Sequence, residues 1–139
     1  MSSDIKFVYE DGHAMCTINY KGLTFMGTAT CHEDDRDFMS ERVGLSIAEC
    51  RANIKLLSFI REHEIKPQLK ILNHLYSNMR NSKRYNPISY EASMLRSQIR
   101  AIENELTTIN NAVADERKYL KDYIDGKDKL FQRLRAKNQ

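Results

Sequence analysis

The chain has 139 residues, 41% of them apolar and 29% charged, with a net charge of +3. One domain is the expectation for that length, the composition excludes a disordered chain, and the mild charge excludes a duplex-DNA binder, which needs a concentrated basic stripe. No apolar run approaches the roughly 18 residues of a membrane span, and Met1-Ser2-Ser3-Asp4 lacks the blocks of a signal peptide. A cytoplasmic protein with no membrane partner is therefore expected.

Residues 4–31 read as a β-meander. Ile5, Phe7 and Tyr9 alternate with Lys6, Val8 and Glu10, and Ala14, Cys16, Ile18 and Tyr20 alternate with His13, Met15, Thr17 and Asn19. Asp11-Gly12 and Lys21-Gly22 mark the turns, and Leu23 to Cys31 supplies the third strand. Three strands bury too little to stand alone in water, so something must cover their apolar face. An acidic loop over residues 32–39 leads to Ser40, a helix cap, with Glu41 suited to the first turn. Val43, Ile47, Ala48, Cys50, Ala52, Ile54, Leu57 and Ile60 make the helical stripe that covers the meander. Pro67 predicts a kink near residues 62–66 within a helical segment over 40–80, whose second piece carries Leu69, Leu72, Leu75 and Met79.

Asn86-Pro87 predicts the start of a long helix over 87–137. Leu95, Ile99, Ile102, Leu106, Ile109 and Val113 alternate at spacings of four and three, and Leu120, Tyr123, Leu130 and Leu134 extend the phase with polar gaps at Glu116 and Lys127. Gly126 either interrupts this helix or weakens it by ~1 kcal/mol relative to Ala. An uninterrupted helix of that length spans roughly 75 Å, and its narrow seam needs a partner from residues 41–80 or from another copy. The fold class expected is thus α+β: a small antiparallel meander packed on a helix, followed by long C-terminal helices in a coiled-coil-like homo-oligomer, a dimer or hexamer.

Catalytic and cofactor signatures are thin. The chain lacks a G-x-S-x-G, a phosphate-binding glycine loop and an H-E-x-x-H, so neither an enzyme nor a resident cofactor is expected. Cys16, Cys31 and Cys50 are an odd number, best read as reduced thiols. His13 and Cys16 with Cys31 and His32 have donor chemistry for zinc, but alternation places His13 and Cys16 on opposite faces of their strand. Glu33, Asp34, Asp35 and Asp37 read as a solvated acidic loop.

Residues 76–100 carry the strongest functional signal. Arg80, Lys83, Arg84, Arg96 and Arg100 face the single acid Glu91, together with Tyr76, Tyr85 and Tyr90 and with Asn78, Asn81 and Asn86. Guanidinium forks suit phosphate oxygens, tyrosine faces suit a stacked base, and amides read base or ribose edges. A helix beginning at Pro87 would add an anion-attracting end, and Arg96 and Arg100, four apart, share one of its faces. A phosphate-bearing ligand such as a nucleotide fits this set; a solvated basic hinge with corner tyrosines is the alternative.

Gly27-x-Ala29-x-Cys31, the Asp34-Asp35 loop, then Gly44, Ala48 and Arg51-Ala52 form a pattern spanning about 26 residues. It resembles the Thoeris anti-defence sponge proteins, the first such family described. The resemblance implies a phage protein acting in the cytoplasm of an infected bacterium. Such proteins bind the cyclic ADP-ribose isomer made by a TIR-domain enzyme and hold it uncleaved, which starves an NAD-degrading effector. It also implies hexamers in some members, with cyclic oligonucleotides at separate sites. Carried onto this chain, Tyr76 stacks, Asn86 makes polar contacts and Arg96 or Arg100 meets the pyrophosphate, with Arg84, Tyr85 and Tyr90 alongside. Arg51, with Lys55, becomes the candidate for a second nucleotide site; a structural pair with the Asp34-Asp35 loop is its other reading. Outside the resemblance, an inhibitor that binds a host defence protein, a structural coiled-coil phage protein and a metal-dependent nuclease at the acidic loop stay open.

Overall fold

A computed structural model describes residues 4–30 and 40–137. The protein is α+β. Strands β1 (Asp4–Glu10), β2 (His13–Tyr20) and β3 (Leu23–Thr30) form an antiparallel sheet in the order β1-β2-β3. Helices α1 (Glu41–Ile60), α2 (Lys66–Arg80) and α3 (Tyr90–Lys137) follow, with one π-helical turn, Arg61–Ile65, between α1 and α2. The chain groups into two compact units, one of Met1–Leu57 with Val113–Gln139, the other Ser58–Ala112.

In the first unit both hairpins close on two-residue turns, with Glu10 opposite His13 and Tyr20 opposite Leu23. Both central residues of each turn have positive φ: 49° and 81° at Asp11 and Gly12, 50° and 79° at Lys21 and Gly22. This is the turn whose twist matches that of the strands it joins. The register places Phe7, Cys16 and Gly27 side by side, and likewise Tyr9, Ala14 and Ala29. Helix α1 lies on this face through small residues. A Cβ at Gly27 would collide with the backbone oxygen of Ala48 and the backbone nitrogen of Ala52, so only glycine permits the approach. Ala14, Cys16, Ile18, Ala29, Ala48 and Ala52 form the buried cluster, with Tyr9, Leu45, Ile47 and Leu56 packed against it.

Coverage of the sheet is narrower than the alternation in β1 predicts. Tyr9 joins the core, but Ile5 and Phe7 stay 46% and 47% exposed. The closest approach of α1 is to β3 at Gly27, and Phe7 of the outer strand faces an open groove along α1 with Arg42, Leu45 and Glu49. At its start α1 is capped as expected: Ser40 Oγ accepts from the Val43 backbone N–H at 3.2 Å. A second surface of α1 meets the C-terminal part of α3, where the Cys50 thiol lies beside the Glu116 carboxylate. Burial first, then the neighbouring Glu116 carboxylate, pushes the Cys50 thiol up to about 12. The polar gap at Glu116 in the heptad pattern is therefore an occupied position. Cys16 and Cys50 are free and buried, and burial raises the Cys16 thiol too. Cys31, His32 and the acidic loop lie outside the described residues.

The π-turn lies near the start of the second unit. The Lys66 backbone N–H bonds the Arg61 carbonyl five residues back, which is the π spacing, and Pro67 follows at the start of α2. The expected interruption is thus a widened turn that absorbs the proline's missing donor without ending the helical path. The Arg61 guanidinium donates to Asn110 Oδ1 of α3 at 3.3 Å, and Arg96 reaches Tyr76 near the connection, so α2 and the first part of α3 run antiparallel. α3 itself starts at Tyr90, three residues after Pro87. Asn86 Oδ1 accepts from the Ile88 N–H at 3.1 Å in a local turn, and Ser89 Oγ caps the helix by accepting from the Ala92 N–H at 3.2 Å. The asparagine spends its carbonyl on the turn before the helix, and the serine takes the cap. From there α3 is continuous through Gly126.

Candidate functional site

A cleft of about 780 Å³ opens between α2 and α3 within the Ser58–Ala112 unit. On α2 it is lined by Asn73, Tyr76, Ser77 and Arg80, with Asn81 just beyond the helix end; on α3 by Arg96, Ile99, Arg100, Glu103 and Asn104. The α2 set falls at i, i+3, i+4 and i+7, and so does the set from Arg96 to Glu103. That is one face of each helix turned toward the other. Three guanidinium groups and one half-buried tyrosine ring share the walls of the cleft. Arg80 lies over the Tyr76 ring at 5.9 Å from its centroid. Arg96 Nη1 donates to Tyr76 Oη at 3.5 Å and Nη2 donates to the Pro87 carbonyl at 2.7 Å. Two anchors therefore fix the Arg96 fork, and a guanidinium with five N–H donors retains others for a ligand.

Tyr85 completes the network from the connection, its hydroxyl 3.2 Å from that of Tyr76. The bond from Arg96, and secondarily the one to Tyr85, holds the Tyr76 phenol below its ordinary acidity range. Tyr85 is held above it by its bond to Tyr76, and Arg96 is raised by its bond to Tyr76. These directions fit Tyr85 as donor and Tyr76 as acceptor. The result is a tyrosine face pinned at its hydroxyl end and flanked by cations. That arrangement suits a planar, electron-poor ring beside an anionic group.

Of the residues singled out in the sequence, the structure brings Tyr76, Arg80, Asn81, Arg96 and Arg100 into the cleft, and Tyr85 behind Tyr76. The remaining candidates lie elsewhere. Asn86 is engaged in its turn, Arg84 has its backbone N–H on Ser82 Oγ at 3.3 Å, and Tyr90 stands 74% exposed at the start of α3. The helix end expected to attract anions is not part of the cleft either. Arg96 lies beyond the first turn, so the positive potential comes from guanidinium groups. Sequence reasoning passed over Asn73, Ser77, Ile99, Glu103 and Asn104. The matched helical spacings of polar residues on the two helices were the signal that could have found them.

Arg51 and Lys55, the candidates for a second nucleotide site, are engaged with the sheet. Arg51 Nη1 donates to the Thr28 carbonyl and Lys55 Nζ to the Met26 carbonyl, each at 2.7 Å. Both acceptors are on β3, an edge strand, and two cations one helical turn apart tie α1 to it. A nucleotide bound there would have to displace both bonds. His13 is exposed and bonds Thr30 Oγ1 at 3.2 Å, whereas Cys16 is fully buried on the other face, so these two do not share a metal. Among the described residues there is no group of three or more His, Cys, Asp or Glu side chains able to hold a metal ion. No described helix is long and apolar enough to cross a membrane. No protein-family model, no curated protein and no solved structure matches this chain.

Proposed function

We propose that this protein binds a phosphate-bearing nucleotide signal in the α2–α3 cleft and holds it without cleaving it. The observation that carries this reading is a cleft of nucleotide size in which Arg80 and Arg96 hold the Tyr76 ring and Arg100 lines the same wall as Arg96. Sequestration needs a pre-organised pocket, and the anchored Arg96–Tyr76–Tyr85 network is pre-organised before any ligand arrives. The resemblance to the Thoeris anti-defence sponges narrows the ligand to a cyclic ADP-ribose isomer and the setting to the cytoplasm of a phage-infected bacterium. Association of copies belongs to the same reading. In the Ser58–Ala112 unit Ile71, Leu75 and Met94 are 61%, 49% and 42% exposed, an apolar face that a homo-oligomer would cover in a dimer or hexamer.

The test is incubation with the cyclic ADP-ribose isomer, removal of free ligand and heat denaturation. Intact ligand is expected in the supernatant, and the melting temperature is expected to rise with ligand concentration, as mass action requires of anything that binds only the folded state. Recovery of a cleaved product, or a melting temperature indifferent to ligand, would overturn the reading.

A further inference from the structure

The cleft is not uniformly basic. Arg80 and Arg96 stand toward the connection between the helices, whereas Glu103 lies two turns along α3 from Arg96, about 10 Å at a rise of about 1.5 Å per residue. Because the helices are antiparallel, Asn73 of α2 faces that same far end, two turns back from Arg80. Tyr76 and Ile99 occupy the middle. Arg100 and Glu103 are three apart on one face of α3 and both line the cleft, yet they form no ion pair. Among the described residues the Glu103 carboxylate has no side-chain partner, although its backbone carbonyl accepts from Thr107 Oγ1. A carboxylate only accepts, so at the far end of a phosphate-binding cleft it calls for a hydrogen-bond donor.

We propose that Glu103 fixes the orientation of the bound nucleotide, accepting hydrogen bonds from a donor-bearing end while the arginines hold the phosphates. The inference rests on the nucleotide reading of the cleft. The donor is an exocyclic base amine or a ribose diol; acidic side chains read both kinds of group in other nucleotide sites. A carboxylate in such a place also repels anions that lack the donor. Glu103 is thus a specificity residue that favours a nucleotide over inorganic phosphates of equal charge.

The test is calorimetric titration of the full chain with ADP-ribose, its hypoxanthine counterpart and inorganic pyrophosphate. Glu103→Ala removes the acceptor at an exposed position and keeps a strong helix former, and Glu105→Ala, exposed and outside the cleft, makes the same change of charge. Glu103→Ala is expected to weaken ADP-ribose at least tenfold and to leave pyrophosphate as tight or tighter; Glu105→Ala should move neither beyond a small common factor. If the hypoxanthine ligand binds the wild-type protein as weakly as ADP-ribose binds Glu103→Ala, the donor is the amine. If it binds like ADP-ribose while the Glu103 effect persists, the donor is the diol. Equal tightening of ADP-ribose and pyrophosphate by Glu103→Ala, or no change in ADP-ribose, would overturn the proposal and leave the nucleotide site standing. A wild-type chain that binds neither ADP-ribose nor pyrophosphate would overturn both.

Discussion

Tyr76 does two things at once, and its hydroxyl separates them. The ring faces the cleft under Arg80, while the oxygen accepts from Arg96 and meets Tyr85. Stabilising the phenolate this way makes Tyr76 more acidic and Tyr85 less acidic than an ordinary tyrosine, which titrates near about 10. For Tyr76 the folded value lies below the unfolded one, so its contribution to stability is present above the unfolded value and is lost as pH falls through the folded value. Tyr85, shifted the other way, contributes below its unfolded value and loses that contribution as pH rises through the folded one. Carbon NMR of labelled tyrosine is expected to show one ring titrating early and one late. Arg96→Gln is expected to return the early ring toward the ordinary value. An unchanged Tyr76 titration in that variant would show that the guanidinium does not act on it. Tyr76 and Arg96 were legible from composition, because an arginine and a tyrosine in one basic window invite the pairing. Glu103 was not, because a single acid on a charged helix carries no local signal of which face it occupies.

Among the elements, those fixed by local chemistry match their sequence signals best. Asp11-Gly12 and Lys21-Gly22 set both turns, alternation set the inward residues of β2, and Ser40 set the start of α1. Elements that compete for the same signal were harder to place. Asn86 and Ser89 both cap well; the asparagine caps a turn and the serine the helix. Ile5 and Phe7 alternate as well as Cys16 and Ile18 do, but α1 makes its close approach at Gly27 of β3, and Phe7 is left facing an open groove along the helix. Gly126 shows where propensity yields to context. α3 passes through it unbroken, and a Cβ added there would meet no atom within 4 Å. Gly126→Ala should therefore stabilise the fold by up to about 1 kcal/mol, by reducing the entropy of the unfolded chain and favouring the helix. Chemical denaturation with an unchanged slope is the measurement; a lower midpoint would mean that the glycine serves a contact the monomer does not contain.

For the molecule as a whole, buried apolar side chains are shared unevenly between the two units. The Met1–Leu57 and Val113–Gln139 unit encloses its core of alanines, Cys16 and Ile18, and Val113 and Phe131 are buried in it as well. In Ser58–Ala112 helix α2 has no buried residue, and Ile71, Leu72, Ala101 and Ile102 line an open groove of about 380 Å³. The heptad seam divides accordingly. Ile109 and Val113 are 8% and 2% exposed within one chain, so truncating either attacks folding before association. Ile71, 61% exposed, touches the proposed association alone. Ile71→Glu places a charge where a second copy would have to desolvate it, which costs several kcal/mol if the charge is left unpaired. Its expected effect is a drop in light-scattering mass toward the 16.3 kDa of one chain, with helix content unchanged. The cleft residues lie outside that groove, so the same variant also asks whether binding needs the assembly. A monomeric Ile71→Glu that binds ligand normally would make the cleft complete within one chain. Loss of binding along with mass would mean that a second copy supplies part of the site. A wild-type mass already at 16.3 kDa would remove association from the mechanism.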